Sequence, residues 1–240
     1  MSLGPAPGGE RDNEDMTDLG KKTVGGFVKL LIILGGLLFL PAWSPRFWQA
    51  WVYLAAYFAA SLAITLLLWK NDRRLLERRL RAGPGAEKER FQKWLQAVAS
   101  LLFGGMFLVS GFDRRLHWSS VPFWLVASGD LAVLLAFFLV FCVLRENSFA
   151  SGIIEVDPEQ TVITTGPYEV VRHPMYAGGA LLFLATPFAL GSYWALLCVI
   201  PMLGVLVARL LDEERYLCDS LAGYSAYRAK VRYRLFPGVW

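Results

Sequence analysis

Apolar residues fall into six long runs along the chain, and short polar segments separate them. Each run approaches the roughly 20 apolar residues that an α-helix needs to cross the hydrocarbon core of a bilayer. Strands of a membrane barrel would alternate instead. The pattern predicts an all-α, polytopic membrane protein whose last two spans form a hairpin broken at Gly191-Ser192. The predicted spans are Val24–Trp43, Trp48–Trp69, Trp94–Phe112, Phe123–Leu144, Pro174–Leu190 and Tyr193–Leu211.

Composition supports a bilayer location. The 240 residues are 55% hydrophobic and 18% charged, and the mean hydropathy is +0.43, which is too apolar for an ordinary soluble domain. The three cysteines are isolated and the two histidines lie far apart, so neither a disulfide framework nor a metal site is expected. The net charge of +4 is modest, and no nucleic-acid partner is expected.

The distribution of Lys and Arg predicts the orientation. The segment from Lys70 to Lys93 holds nine of them and the tail after Leu211 holds five, whereas the connections near Arg46 and Arg114 hold three together. Because basic loops stay in the cytosol, both termini and the loop from Arg145 to His173 are predicted to be cytosolic. We interpret the basic segment as a topology signal that also attracts anionic membrane lipids.

The chain divides into three predicted regions. Residues 1–22, rich in Gly, Pro and acids, are expected to form a disordered cytosolic tail; residues 23–144 a four-helix transmembrane region; and residues 145–240 the catalytic region. We also note charges inside two predicted spans. Lys29 is close enough to a span end to snorkel, and Asp130 is interpreted as a polar partner in helix packing, with a functional role as the alternative.

The stretch TGPYEVVRHPMYAGG, residues 165–179, contains the first group of candidate functional residues. Pro174 suits the first position of a helix, so Arg172 and His173 are predicted to lie at a helix N-terminus, where free N–H groups favour a carboxylate or phosphate. Gly178 and Gly179 follow one turn later. They allow close approach either of a ligand or of a neighbouring helix.

Three consecutive acids, Asp212, Glu213 and Glu214, form the second candidate element at the end of the last predicted span. A helix C-terminus disfavours negative charge, so these acids need compensation. One of them could pair with a cation such as Arg172 while the other accepts from a ligand amine or ribose. The alternative interpretation is a solvated acidic face.

The C-terminal stretch GYSAYRAKVRYRLFPGVW, residues 223–240, is the third element. Its Tyr224, Tyr227 and Val231 fall at helical spacing, which predicts an amphipathic segment on the membrane surface. Arginines follow, and an arginine can bind a carboxylate bidentately. Anchoring to lipid headgroups is the alternative for each of Arg228, Arg232 and Arg234.

Together these elements resemble the membrane methyltransferases that include isoprenylcysteine carboxyl methyltransferases and phospholipid N-methyltransferases. The resemblance covers Glu146–Trp240 and implies that S-adenosylmethionine binds in a cytosolic C-terminal pocket. It assigns Arg172, Glu214 and Arg232 to the transfer reaction. The chain departs from the prenylcysteine enzymes at RENSFAS, residues 145–151. This stretch keeps their Asn and Phe in altered spacing and lacks the His that follows. The implied cofactor-binding residues are Tyr168, His173, Tyr176, Gly178, Glu213 and Glu214.

Four functions are compatible with these residues. The first is O-methylation of the carboxylate of a prenylcysteine-like or other lipophilic acceptor, a reaction that needs positioning and no strong base. The second is N-methylation of a phospholipid or small amine, which needs a group to accept a proton. An NADPH-dependent membrane reductase and a non-catalytic membrane scaffold are the other two. The sequence has no signal for an oligomeric state.

Overall fold

The computed structural model describes the backbone of residues 7–240 and the side chains of residues 16–240. Within these residues the chain is all-α, which confirms the predicted fold class, and an isolated parallel bridge joins Val171 to Tyr233. The eight α-helices of the described part are α1 (Pro7–Ala42), α2 (Trp48–Asn71), α3 (Arg73–Leu80), α4 (Arg90–Leu116), α5 (Phe123–Glu146), α6 (Pro174–Ala189), α7 (Leu196–Ser220) and α8 (Tyr224–Lys230).

Four described helices are long and apolar enough to cross a membrane by length and composition, namely α1 from Met16 onward, α2, α4 and α5. They correspond to the first four predicted spans. The other two predicted spans are also helical, but α6 has 16 residues and α7 is not among the candidate spans. The protein is therefore polytopic, and the count of six spans stays a prediction.

The N-terminal segment differs from the prediction. The first helix begins at Pro7, so residues 7–22, expected in a disordered tail, are helical, while residues 1–6 of that tail lie outside the described part. The helix is stabilised where one face is covered: Leu19 is buried, and the Thr23 hydroxyl donates to the Leu19 carbonyl at 2.8 Å. Burial of this face offsets the weak helix preference of the Gly-rich sequence.

Small residues allow the helices to pack closely around the core. A side-chain carbon added at Gly111 of α4 would lie 2.5 Å from Pro41 of α1, and one added at Gly129 of α5 would lie 2.4 Å from the backbone of Ala189 in α6. Close approach of two helices at a glycine is typical of helix pairs in membranes. The core between these pairs consists of residues from six helices, among them Leu38, Tyr53, Phe107, Val133, Ala185 and Val199.

One end of the helix bundle is fixed by a buried carboxylate. Asp113, near the end of α4, accepts hydrogen bonds from the Ser119 amide at 2.7 Å, the Ser119 hydroxyl at 2.6 Å and the Ser192 hydroxyl at 2.5 Å. Ser192 lies in the turn between α6 and α7, so Asp113 joins that turn to α4. Asp130, expected to be a polar packing partner, has a buried Oδ1 that forms no hydrogen bond with the described residues.

Candidate functional site

A cavity of about 340 Å³ lies at the end of the bundle opposite to Asp113. Its size is near the lower limit for small-molecule sites. The polypeptide that joins α5 to α6 covers it, and we call residues 147–163 the strap. The remaining walls come from α3, α4, the first turns of α6, the C-terminal half of α7, and α8. Segments distant in sequence therefore build one chamber.

The stretch before α6 is extended and pairs with the C-terminal tail. The Arg172 amide donates to the Tyr233 carbonyl and the His173 amide donates to the Arg234 carbonyl, both at 2.9 Å. Pro174 is the first residue of α6, which confirms the helix start expected from the sequence. This pairing holds Arg172 and His173 in the cavity wall, because their backbone is bonded on one side and their helix begins on the other.

Arg172 is buried, and three of its five N–H groups donate hydrogen bonds to described residues. One terminal nitrogen, Nη1, donates to the carbonyls of Val231 and Arg232 at 2.8 and 2.9 Å, and Nη2 donates to Glu214 at 2.8 Å. The two side chains of the ion pair are 5% and 4% exposed. The buried Nε atom of Arg172 forms no hydrogen bond with the described residues. A buried donor without a partner is costly, so this end of the bundle is less completely satisfied than the end at Asp113.

Glu214 is the centre of a cluster of cations. The cations besides Arg172 are Arg234, whose Nε lies 2.6 Å from the carboxylate, and Arg228, whose Nε lies 3.2 Å from it. The ring of His173 is also close, with Nε2 at 3.8 Å. Burial raises the pKa of this carboxyl, but hydrogen bonding to His173 and Arg234 and the charges of Arg172 and Arg234 outweigh burial and hold the pKa at about 2. Glu214 is therefore ionised, and these cations supply the compensation that an acid near a helix C-terminus requires.

Glu213 faces the cavity from the same helix turn. The Tyr176 hydroxyl donates to its carboxylate, and both residues line the chamber. The ring of Tyr176 packs edge-on against His173 with the centroids 5.8 Å apart, and His173 Nε2 lies 3.4 Å from the Tyr224 hydroxyl. These side chains form a wall with aromatic faces and one carboxylate.

Tyr168 lines the cavity next to the strap. Its hydroxyl accepts from Asn147 at 2.8 Å, and its carbonyl accepts from the Tyr227 hydroxyl at 2.8 Å. Burial raises the pKa of the Tyr168 phenol to about 12, although the hydrogen bond from Asn147 lowers it. Asn147 and Phe149, from the RENSFAS stretch, both line the cavity. The stretch that departs from the prenylcysteine enzymes thus forms part of the chamber.

The structure brings most of the predicted site residues together. Three of them lie elsewhere. Glu214 is behind Arg172 and outside the cavity wall. Gly178 faces α5, where an added side-chain carbon would lie 3.1 Å from Val140 Cγ2, and Gly179 lines the cavity in its place. Arg232 is exposed, and its carbonyl rather than its guanidinium contacts Arg172. The predicted residues in the wall are Tyr168, Arg172, His173, Tyr176 and Glu213.

Two arginines in the wall were missed. Arg209 of α7 donates to Glu87 at 2.5 Å and to Gln92 at 2.9 Å, and its position inside the last predicted span could have marked it as functional. Arg79 of α3 was included in the basic segment that we interpreted as a topology signal. It follows the buried Leu75 by four residues and Leu76 by three, so helical spacing places it on the buried face.

Residues 124–221 match the family model of phospholipid methyltransferases. The matched part runs from α5 through α7 and includes the strap, the start of α6 and Glu213. No match was found among curated proteins. The family implies membrane methyltransferase activity and agrees with four apolar helices of membrane-spanning length. The resemblance to membrane methyltransferases is thus confirmed over residues 124–221, the part of the chain that matches this family model.

Proposed function

We propose that the chain is an S-adenosylmethionine-dependent membrane methyltransferase that esterifies the carboxylate of a prenylcysteine-like or other lipophilic acceptor. The observation that carries this proposal is the two-part character of the cavity. Its polar part contains Arg172, Tyr176 and Glu213. The other part is apolar and lies between α4, α6 and α7, where the lining residues are Ala99, Phe183, Met202, Val205 and Leu206. A water-soluble cofactor and a lipid chain fit these two environments.

The polar part fits the functional groups of S-adenosylmethionine. Glu213 offers a carboxylate to the ammonium group, and Arg172 in the cavity wall offers positive charge to the carboxylate. The rings of Tyr168 and Tyr176 offer apolar faces to the adenine. When bound, the cofactor supplies an electrophilic methyl group on a sulfonium. The chain's contribution is to orient both reactants and to exclude water.

A carboxylate acceptor agrees with the charges in the site. Such an acceptor attacks without losing a proton, so the enzyme needs cations and a dry chamber rather than a base. Glu214 is a poor base because its cationic partners hold its pKa at about 2. We place this end of the protein in the cytosol, since α3 and its flanking residues contain most of the nine Lys and Arg between Lys70 and Lys93.

N-methylation of a phospholipid amine is the second candidate, and the family match favours it. An amine must lose a proton to act as a nucleophile. His173 is the residue best placed to accept it, because its ring lines the cavity beside Tyr176. The two candidates share the cofactor and differ in the product, which is a methyl ester in the first and a methylated amine in the second.

The deciding experiment uses the full chain in nanodiscs with methyl-labelled S-adenosylmethionine and a lipid extract. We expect label in the lipid fraction that alkali releases as volatile methanol, because esters hydrolyse. Alkali-stable label would establish N-methylation instead. Equilibrium dialysis should show binding of S-adenosylmethionine. If the protein bound NADPH but not S-adenosylmethionine, the result would support a reductase. If it bound neither ligand, the result would support a non-catalytic scaffold.

The cofactor assignment has a matched pair of variants. Glu213→Gln removes the charge that faces the cavity, and we expect S-adenosylmethionine to bind at least about ten-fold more weakly. Asp219→Asn removes an exposed charge from the same helix and should bind as the wild type does. Equal affinities for the two variants would contradict the role of Glu213.

A further inference from the structure

Arg79 extends from α3 into the cavity wall beneath the strap. Its Nη1 donates to the Ser151 carbonyl at 3.2 Å. The Nε and Nη2 atoms form no hydrogen bond with the described residues, and neither is a fully buried atom. Arg79 therefore faces the cavity with unused donors.

The charge of Arg79 lacks a carboxylate partner. Among the described residues, no Asp or Glu oxygen lies within 4.0 Å of its guanidinium. The other arginines around the chamber differ: Arg78 lies 2.7 Å from Asp157, Arg172 lies 2.8 Å from Glu214, and Arg209 lies 2.5 Å from Glu87. Glu155, the acid of the strap that lines the cavity, is 3.7 Å from Lys88 instead.

The surroundings of Arg79 make this unpaired charge expensive. Burial lowers the pKa of its guanidinium, and the neighbouring Tyr168 raises it. A partly buried cation without a counterion is destabilising unless a ligand supplies the negative charge. Guanidinium donors match carboxylate and phosphate oxygens in geometry. An anion in the chamber would satisfy both the charge and the free donors.

We propose that Arg79 binds the anionic group of the methyl acceptor, which makes the substrate an amphiphile with a carboxylate or phosphate headgroup. This inference rests on the proposed function. The resemblance assigned Arg232 to the transfer reaction, but the side chain of Arg232 lies outside the wall, whereas Arg79 lines it. The headgroup lies against Arg79 and the apolar chain extends toward Phe183 and Leu206. Arg79 sets specificity by charge, separately from the cofactor residues.

The test measures binding without turnover. The full chain in phosphatidylcholine nanodiscs is titrated with radiolabelled dodecanoate, dodecyl phosphate and dodecanol, and empty nanodiscs are subtracted. We expect Arg79→Gln to weaken binding of an anionic probe by about ten-fold and to leave dodecanol unchanged. Arg79→Lys keeps the charge and should retain most of the affinity. The stronger of the two anionic probes identifies the headgroup as carboxylate or phosphate.

The control and the alternatives are distinguishable. Arg74→Gln removes the same charge from the exposed side of α3 and should leave all three affinities unchanged. Glutamine can still donate to the Ser151 carbonyl, so a merely structural role of Arg79 predicts little effect of Arg79→Gln or an equal loss for all three probes. Either result would overturn the proposal. The titration with these probes contains no cofactor, so its result does not depend on cofactor binding. Failure of the wild type to bind S-adenosylmethionine in the dialysis experiment would therefore refute the proposed function separately.

Discussion

Two buried polar clusters at opposite ends of the bundle differ in how completely they are satisfied. The Asp113 carboxylate accepts three hydrogen bonds of 2.7 Å or less from Ser119 and Ser192. At the cavity end, Arg172 retains an unpartnered Nε and Arg79 has no carboxylate partner among the described residues. A satisfied cluster fixes structure, whereas unsatisfied donors beside a chamber point to a ligand.

The cavity end itself contains both kinds of group. Glu214 is satisfied by its cations and lies outside the wall, whereas Glu213 and Arg172 face the chamber. Consecutive positions on a helix differ by about 100° in direction, so one acid can support the fold while the next meets a ligand. We therefore regard Glu214 as a positioning residue.

The largest effect is expected from removing Glu214. In Glu214→Ala, Arg172 loses its counterion inside the protein, and the free energy of unfolding should fall by about 3–5 kcal/mol. Thermal unfolding in a neutral detergent measures this loss. The control is Asp219→Ala, an exposed acid on the same helix, which should change stability by less than about 0.5 kcal/mol. Wild-type stability of Glu214→Ala would show that the cluster does not hold the fold.

A smaller effect is expected at the opposite end. Asp113→Asn keeps the shape but loses acceptor capacity toward the two serines, which should cost about 1–3 kcal/mol of stability. S-adenosylmethionine binding by the folded protein should be unchanged, because Asp113 does not line the cavity. A variant with normal stability that has lost cofactor binding would contradict the division between the two ends. Ser192→Ala, which removes one donor, should be milder.

The smallest effects separate two adjacent glycines. In Gly178→Ala the new methyl lies 3.1 Å from Val140 Cγ2, so the Val140 side chain must shift slightly, at an expected cost of about 1 kcal/mol in stability. Gly179→Ala meets Leu206 at 3.9 Å, an ordinary contact, and should not destabilise. It places a methyl group in the cavity and should weaken cofactor binding a few-fold. Melting and equilibrium dialysis on both variants test the assignment, and the reverse pattern would overturn it.

Much of the fold could be predicted because membrane helices are specified locally. The apolar runs predicted the four described helices that are long and apolar enough to cross a membrane, and Pro174 marked the start of α6. The N-terminal segment could not be predicted in this way. Its composition is poor for an isolated helix, and only contact with the rest of the bundle, as at Leu19, makes the helical form favourable.

Residue type indicated which positions could take part in a site, and the roles given to those residues stay predictions. Arg172, His173 and Glu213 were identified from sequence motifs and Tyr176 from the family resemblance, and all four line the chamber. Arg79 was not recognised as a candidate site residue because it lies in a basic segment. The positive-inside rule accounts for every Lys and Arg in such a segment, so none of them stood out. The three- and four-residue spacing of Arg79 from Leu76 and Leu75 was the available signal.

The sequence alone determined which segments are apolar, where α6 begins and which charged residues need partners, because these properties depend on neighbours along the chain. The tertiary structure decided which acid supports Arg172, which glycine faces the cavity and which arginine is left unpaired. Those outcomes depend on which side chains from α3, the strap, α6 and α7 meet in space. Ion pairing and close packing act over a few ångströms, and only the folded chain sets those distances.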